Sequence, residues 1–506
     1  MSGTPPSSAD PRLGPVRPRL HPVRIFDTLR GELVSLEPLV PPRVGLFVCG
    51  LTPYKPSHIG HARSFVFFDL VARFLRYVGY RVFYVQNVTD VDDKLIRQAH
   101  EEGGDIFTVS ERNFRAYLRD MDRLGVRSVN LYARCTDYMP EILRQVQDLL
   151  DRGFAYQVDG DVYFEVSRFP RFGALSRQRR EDLLAGARVE VDPRKRAPED
   201  FALWKSAKPG EPWWESPWGP GRPGWHIEDT AITVNVLGPR YDIHGGGAEL
   251  KFPHHEAEIA QAESATGQSP LASIWMHAGL LLMQGEKMSK SLGNVLDLSE
   301  ALREVRPEVL RYFLLSGLYR SPLEFQGPAS WQEAEKAHRS LTAPWHRINE
   351  LLGDLDEGDE ASAGTVSPWT AEATRVRDSV VAALSEDFNI REATAALFGW
   401  SRRVQSILSG SPEPRRREDL LALRAPYDLA QEVLGYLTLD PAPPVRSPPA
   451  ELTELVELLV RLRQEARQRG DYAQADRIRT ELAERGISLE DGPGGTRWSA
   501  RGRDRR

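Results

Sequence analysis

A chain of 506 residues is long enough for about three domains. A net charge of −6 with ordinary apolar and charged fractions excludes a general polyanion-coating protein, yet a local basic face could still bind nucleic acid. Two cysteines, Cys49 and Cys135, form no disulfide framework and favour a reducing compartment, and no apolar run approaches the roughly 18 residues of a membrane span. A soluble, cytoplasmic protein is expected.

Residues 1–22 are polar and Pro-rich without an apolar h-region, so a disordered tail is expected rather than a signal peptide. The run Val44–Cys49 reads as a buried strand, and a Gly/Thr/Pro turn leads from it to a helix opening at His58-Ile59-Gly60-His61 and running to about Val78. Arg81–Val85 is the next strand, which makes a βαβ unit and predicts a doubly wound parallel sheet. Asn87 to Asp93 follow at its C-terminal end, where an open α/β sheet has its ligand crevice. Asp92 or Asp93 is explained as a helix cap, whereas Thr89 and Asp90 are not.

Helices are expected near 110–124 and 139–153, then a hairpin Ala155–Val166 turning at Asp159-Gly160. The weakly periodic stretch 169–223 reads as an insertion, with Asp192 to Arg196 a solvated loop and Trp204, Trp213, Trp214 and Trp218 packing locally. The sheet resumes after Trp225 with a helix, a strand Arg240–His244 ending at Gly245-Gly246-Gly247, a helix opening at His254, and a strand Ser273–Met283. The loop Lys287-Met288-Ser289-Lys290-Ser291 and helices near 297–304 and 307–316 close this part. Beyond Glu333 the pattern is helical, at 369–385, 390–409 and 417–437, with linkers Gly353–Ser367 and Pro441–Pro449. Two further helices, 451–469 and 471–485, precede a short tail, Ile487–Trp498.

H-x-x-H and K-M-S-K-S are each weak signals. Together, each just after a strand of one α/β domain, they are strong. Two imidazoles and two ammonium groups around one crevice suit in-line displacement at a phosphate, where charge builds on the α-phosphate and on departing pyrophosphate. A lysine loop flanked by Ser and Gly can close over a triphosphate. No G-x-x-x-x-G-K-[ST] is present, so this is no P-loop protein.

With these motifs the chain resembles the class I aminoacyl-tRNA synthetases, and within them the cysteinyl-tRNA synthetase family. The stretches FVCGLTPYKPSHIGHAR, YVQNVTDVDDKLI, RPGWHIED, DIHGGG, FPHHEAEIAQ, HAGLLLMQGEKMSKSLGN and ISLEDGPGGTRW carry the resemblance over about residues 25–498. It implies activation of L-cysteine with Mg-ATP to an adenylate, and transfer to the 3′ end of tRNA(Cys). His58, His61, Lys287 and Lys290 would then be catalytic; Gly60, Gly245, Gly246 and Glu249, with Lys290, would hold ATP; Gly50, Thr52, Thr89 and Trp225 would hold the amino acid. Arg467, Asp476 and Asp491 fall where the family reads the anticodon.

The resemblance also implies one zinc ion on two Cys, one His and one Glu. Cys49, His254 and Glu258 match, and the fourth position is Asp229. A carboxylate binds zinc at about 2.0–2.2 Å, so Cys49, Asp229, His254 and Glu258 remain a four-ligand set, harder than the family's. A metal-free pocket, with Asp229 on the substrate ammonium, is the alternative. Cys135 is read as a small buried residue.

The expected organisation is a tail (1–22), a Rossmann-like catalytic domain (23–150 and 224–296) split by an insertion (151–223), stem-contact helices (297–352), a linker (353–367), a tRNA-binding bundle (368–440), a second linker (441–450) and an anticodon module (451–506), in a monomer. Two other readings remain: a cysteine–glucosaminyl-inositol ligase, which needs nothing beyond about Glu333, and an inactive RNA-binding paralogue, against which His58, His61, Lys287 and Lys290 argue.

Overall fold

The apolar run around Val44 becomes the central strand of a parallel sheet. The computed structural model describes residues 20–178, 192–283, 285–288, 294–355, 366–410, 416–439, 460, 463, 466, 472–484, 487–492 and 495–500. It comprises two compact units, Met1–Leu439 and Asp440–Arg506.

In the first unit a short antiparallel pair, β1 (Arg24–Asp27) and β2 (Glu32–Ser35), precedes β3 (Arg43–Leu51). The helix Ile59–Tyr77 crosses to β4 (Arg81–Val88), and β5 (Leu131–Arg134) extends the sheet outward. Next come a hairpin, β6 (Ala155–Val158) and β7 (Asp161–Phe164), and then β8 (Phe201–Ser206) and β9 (Gly221–Pro223). The chain returns through the helix Ile227–Val236, β10 (Tyr241–Gly247), the helix Glu256–Thr266 and β11 (Ala272–Ala278). The sheet order is β11-β10-β3-β4-β5 with every pair parallel.

Strand order reverses at β3, which places a crevice beyond the C-terminal ends of β3 and β10. Alternation along β3 feeds two cores. Val44, Leu46 and Val48 enter the layer under the helix Ile59–Tyr77, while Phe47 and Cys49 enter the layer on the other face.

The sequence expectations differ from the structure in several places. The helix Asp93–Glu102 is additional; Asp92 caps it, accepting from Lys94 N at 2.8 Å. The expected strand Ser273–Met283 is two strands. It breaks at Gly279, whose N–H donates to Tyr319 O at 2.6 Å and where a Cβ would sit 2.3 Å from the Ser321 carbonyl. β12 (Leu281–Met283) then joins another sheet, between β13 (Glu286–Lys287) and β14 (Leu323–Phe325). Third, the insertion is ordered by pairing that periodicity could not reveal: β6-β7-β8-β9 form an antiparallel sheet, with Arg194 of the charge run on Asp161 at 2.8 Å. The hairpin turn is as expected, with φ of 49° at Asp159 and 86° at Gly160. Trp204 and Trp218 pack together, ring centroids 6.0 Å apart, while Trp213 is exposed.

Helices Pro328–Gly353, Thr370–Ser385, Ile390–Leu408 and Arg417–Val433 form a bundle on the sheet's helical layer. One buried ion pair joins them. Arg311 donates to Asp69 at 2.6 Å, to Leu124 O and to Leu434 O, and Asp69 also accepts from Arg73 and the N–H groups of Arg127 and Ser128. In the second unit the helix Tyr472–Glu484 precedes a hairpin, β15 (Ile487–Gly492) and β16 (Gly495–Ala500), so the expected tail is a paired ribbon. Residues 356–365 and 440–459 of the two linkers and the preceding helix lie outside the described residues.

Burial opposes ionisation of Asp69, but Arg311 and Arg73 outweigh it and hold the carboxyl below its usual range. That stabilisation is therefore present above the unfolded-state value of about 4 and is lost as pH falls through the folded value. Arg311→Ala leaves the Asp69 charge buried and is expected to cost about 3–5 kcal/mol in urea unfolding. Asp69→Asn should flatten the acid limb of the stability profile below about pH 4.

Candidate active site and metal-ligand cluster

The helix that follows β3 starts on a reciprocal cap. His58 Nδ1 accepts from His61 N at 3.3 Å, and His61 Nδ1 accepts from His58 N at 3.4 Å. The two rings stack at 3.7 Å, inclined by 18°. Gly60 makes room for this, because a Cβ there would lie 2.9 Å from the His58 ring. The lysine loop is anchored to β12 on one side and to this turn on the other. Lys287 pairs with Leu282 through the backbone, Met288 is buried, and beyond the loop Leu296 O accepts from Ile59 N while Leu298 N donates to Ser57 O. The Lys287 side chain and all of Lys290 lie outside the described residues.

Gly245 and Gly246 occupy β10, where a Cβ would meet Phe68 at 2.4 Å and His255 at 2.8 Å respectively. Packing alone thus requires both glycines. Glu249 is exposed just past the strand. At the end of β3 the register slips between Val48 and Leu51, a bulge that turns Cys49 out of the ladder. Gly50 N donates to Asn87 Oδ1, and Thr52 is half-buried in the following turn.

Thr89 is buried and donates to Glu228, a carboxyl the sequence reading passed over. Burial, with Asp229 adding to it, raises Glu228 well above the carboxylate range; Cys135 is its other partner, so this thiol has a polar role in addition to filling space. Asp90 accepts from Thr136 N at 3.0 Å and Oγ1 at 2.6 Å, which ties β4 to the turn after β5.

The four residues assigned to the metal come together. Cys49 Sγ lies 3.5 Å from Asp229 Oδ2 and 3.6 Å from Glu258 Oε1, and His254 Nε2 lies 2.8 Å from Asp229 and 2.9 Å from Glu258. All are buried. Trp225 is half-exposed and stacks on His254 at 4.3 Å. A turn at Lys251–His255 delivers His254 onto the face of the helix Glu256–Thr266 that carries Glu258.

Electrostatically the cluster is rich in buried acidic groups, with the His254 imidazole set between two carboxylates. Burial pushes the Cys49 thiol up, and Glu258 and Asp229 push it further. Burial also works against a charge on His254, but the same carboxylates carry it up to about 10. Glu258 is raised by burial to about 7 despite His254. Asp229 Oδ1 and Glu258 Oε2 have no hydrogen-bond donor among the described residues. A thiol, two carboxylates, an imidazole and two spare oxygens fit a divalent cation that accepts N, O and S donors.

The sequence reading missed four buried histidines. His226 Nδ1 meets His254 Nδ1 at 2.8 Å, His244 and His255 both face Cys49, and His277 lies behind His255 at 2.8 Å. Burial lowers all four well below the usual histidine value, so they are neutral. The available signal was clustering: of 11 histidines in the chain, these and His254 fall within 226–277. Of the anticodon residues, Asp476 is exposed on the helix Tyr472–Glu484 and Asp491 lies in β15; Arg467 is outside the described residues.

Residues 35–335 match the family described as tRNA synthetases class I (C) catalytic domain, and 450–498 match the cysteinyl-tRNA ligase anticodon binding domain. The chain belongs to the cysteine–tRNA ligase family. It is 47% identical over 479 residues to the cysteine–tRNA ligase of Alkalilimnicola ehrlichii, covering 94% of this chain and 99% of that protein. To the cysteine–tRNA ligase of Pelotomaculum thermopropionicum it is 44% identical over 490 residues, covering 95% and 100%. In fold it is similar to a Mycobacterium tuberculosis methionyl-tRNA synthetase in complex with methionyl-adenylate, with a TM-score of 0.59 at 17% identity, covering 78% of this chain and 92% of that one. The reaction is ATP-dependent ligation of cysteine to tRNA. The anticodon-binding match sets the chain apart from the small-molecule ligase reading.

Thr89→Val would leave Glu228 with Cys135 alone. A buried acceptor that loses a donor costs about 1–3 kcal/mol, which thermal unfolding of the full chain should register.

Proposed function

We propose that the crevice between β3 and β10 activates cysteine with the side chains assigned above, and that it selects the substrate through a metal held by Cys49, Asp229, His254 and Glu258. The buried quartet of donors around Cys49, with Asp229 Oδ1 and Glu258 Oε2 left without a hydrogen-bond donor among the described residues, is the observation that carries this reading. Two of its separations, 3.5 and 3.6 Å, match the roughly 3.3–3.8 Å between neighbouring donors on a tetrahedral ion with bonds of about 2.0–2.3 Å. When bound, zinc would supply a Lewis acid that prefers a substrate thiolate to a hydroxyl.

The chain's own groups do the rest. His58 and His61, fixed by their mutual cap, present imidazoles to the α-phosphate as it is attacked. Lys287 and Lys290 meet the departing pyrophosphate from a loop that leaves β12 and returns to that turn. Both actions stabilise charge that is greatest in the transition state. Trp225 covers the substrate side of His254, and Thr89 with its Glu228 partner lines the floor. Gly60, Gly245, Gly246 and Glu249 line the nucleotide side. We further assign residues 151–223 as the insertion, 368–440 as a tRNA-binding bundle, and Arg467, Asp476 and Asp491 as anticodon contacts.

Zinc content and cysteine-dependent ATP–pyrophosphate exchange, measured with cysteine and with serine, test the reading. Wild type should carry about one zinc per chain and reject serine, and Asp229→Cys should keep both properties. Unchanged zinc and activity in Asp229→Ala would remove Asp229 from the ligand set. Gly60→Ala should separate the stacked histidines and lower exchange by up to about 100-fold, with far less effect on stability.

A further inference from the structure

Cys49 and Glu258 each face two sets of partners. On one side are Asp229 and His254. On the other are His244 and His255, which no reading above uses. Cys49 Sγ is 3.5 Å from His244 Nε2, 3.1 Å from His255 Nε2 and 3.6 Å from Glu258 Oε1, and His244 Nε2 is 3.2 Å from Glu258 Oε2. From these separations, we infer that the chain has a second metal position, on Cys49, His244, His255 and Glu258, adjoining the one that includes Asp229.

Three observations support it. The four separations, 3.1–3.6 Å, lie close to the roughly 3.3–3.8 Å of tetrahedral donors, whereas His254 sits at hydrogen-bond distance, 2.8 and 2.9 Å, from its two carboxylates. Each imidazole also has its far nitrogen engaged, the arrangement that fixes a metal-binding tautomer. His244 Nδ1 meets Tyr241 OH at 2.7 Å; His255 Nδ1 meets His277 Nε2 at 2.8 Å, and His277 Nδ1 meets Thr28 Oγ1 at 2.8 Å. With the protons on Nδ1, both Nε2 lone pairs point at Cys49, and Gly246 clears the space that the His255 ring fills.

Ligand charge favours the same side. Thiolate, carboxylate and two neutral imidazoles carry −2 and neutralise a divalent ion. The set with Asp229 carries −3 and has one imidazole fewer. Because both sets need Cys49 and Glu258, one ion occupies one position at a time. Where the family has a second sulfur, the pull toward Asp229 is weaker here, and zinc, which prefers N and S donors, rests on the two histidines.

The inference rests on the reading that this crevice binds a divalent metal, and zinc is the probe. X-ray absorption of the zinc-loaded, full-length wild type should show outer-shell scattering from two imidazoles. Equilibrium zinc binding on Asp229→Ala should remain near one per chain. The double variant Asp229→Ala/His244→Ala should lose more affinity than the roughly 10–100-fold that removal of an outer-shell partner costs. One imidazole in the wild-type spectrum, or loss of zinc in Asp229→Ala, overturns the second position and leaves the Asp229 set standing. Zinc retained in both Asp229→Ala and His254→Ala supports the second position as the one that holds the resting ion. A wild type that takes up no zinc overturns both. Circular dichroism of each variant checks folding, and the wild-type spectrum needs no variant.

Discussion

Everything at the site depends on β3 being paired on both edges in parallel. Leu46, Phe47 and Val48 hydrogen-bond into β10 on one side and β4 on the other, so the strand cannot shift without breaking two ladders. Just past that doubly held segment the register slips, and Cys49 leaves the ladder at the bulge. Its sulfur therefore has a fixed position, and the buried donors contributed by β10 and by the helices Ile227–Val236 and Glu256–Thr266 are arranged around it. The turn carrying His58 and His61 follows directly, so Cys49 and the two histidines sit on one continuous piece of backbone.

Rigidity beyond the strand comes from arginines that end on carbonyls. Arg63, on the same helix as His61, donates to Gly279 O, Leu314 O and Ser321 O, and burial lowers it to about 10. Arg311 does the same toward Leu124 and Leu434 while pairing with Asp69. A guanidinium spreads its donors in a fixed fork, so each of these residues ties several segments at once. The helix presenting the two histidines is thereby held to β12, to the region after the lysine loop and to the bundle.

The sequence made the βαβ unit legible because the short apolar run at Val44–Cys49 and the 3.6-residue period of the helix after it are both strong. It made the Cys49, His254 and Glu258 cluster legible only through resemblance. The break at Gly279 was invisible, since Ala272 to Met283 is mostly apolar on both sides of it and its two halves enter different sheets. The insertion was opaque because β8 and β9 owe their order to pairing with residues distant in sequence rather than to a periodic pattern of their own. His244 and His255 were missed for a different reason. Their partners, Cys49 and Glu258, are distant or already assigned, and only the parallel pairing of β10 with β3 brings an imidazole at position 244 to the sulfur at position 49.

That pairing bears on what an aspartate at 229 can do. A carboxylate replacing a thiolate keeps the charge but gives up a soft donor, and the remaining protein sulfur is Cys49. On the proposed reading, a substrate thiolate would supply the missing sulfur, and a serine hydroxyl would not. The metal's preference for cysteine then grows, because the ion gains more from the substrate sulfur than it would in a site already holding two. The neighbouring imidazoles limit the cost of this arrangement. With no substrate bound, they offer neutral nitrogen donors within 3.1–3.5 Å of the same sulfur, so the ion is not left on a mostly carboxylate site. Selectivity would then arise from competition between two ligand sets sharing one cysteine, and the arriving substrate would tip the balance toward Asp229 and His254.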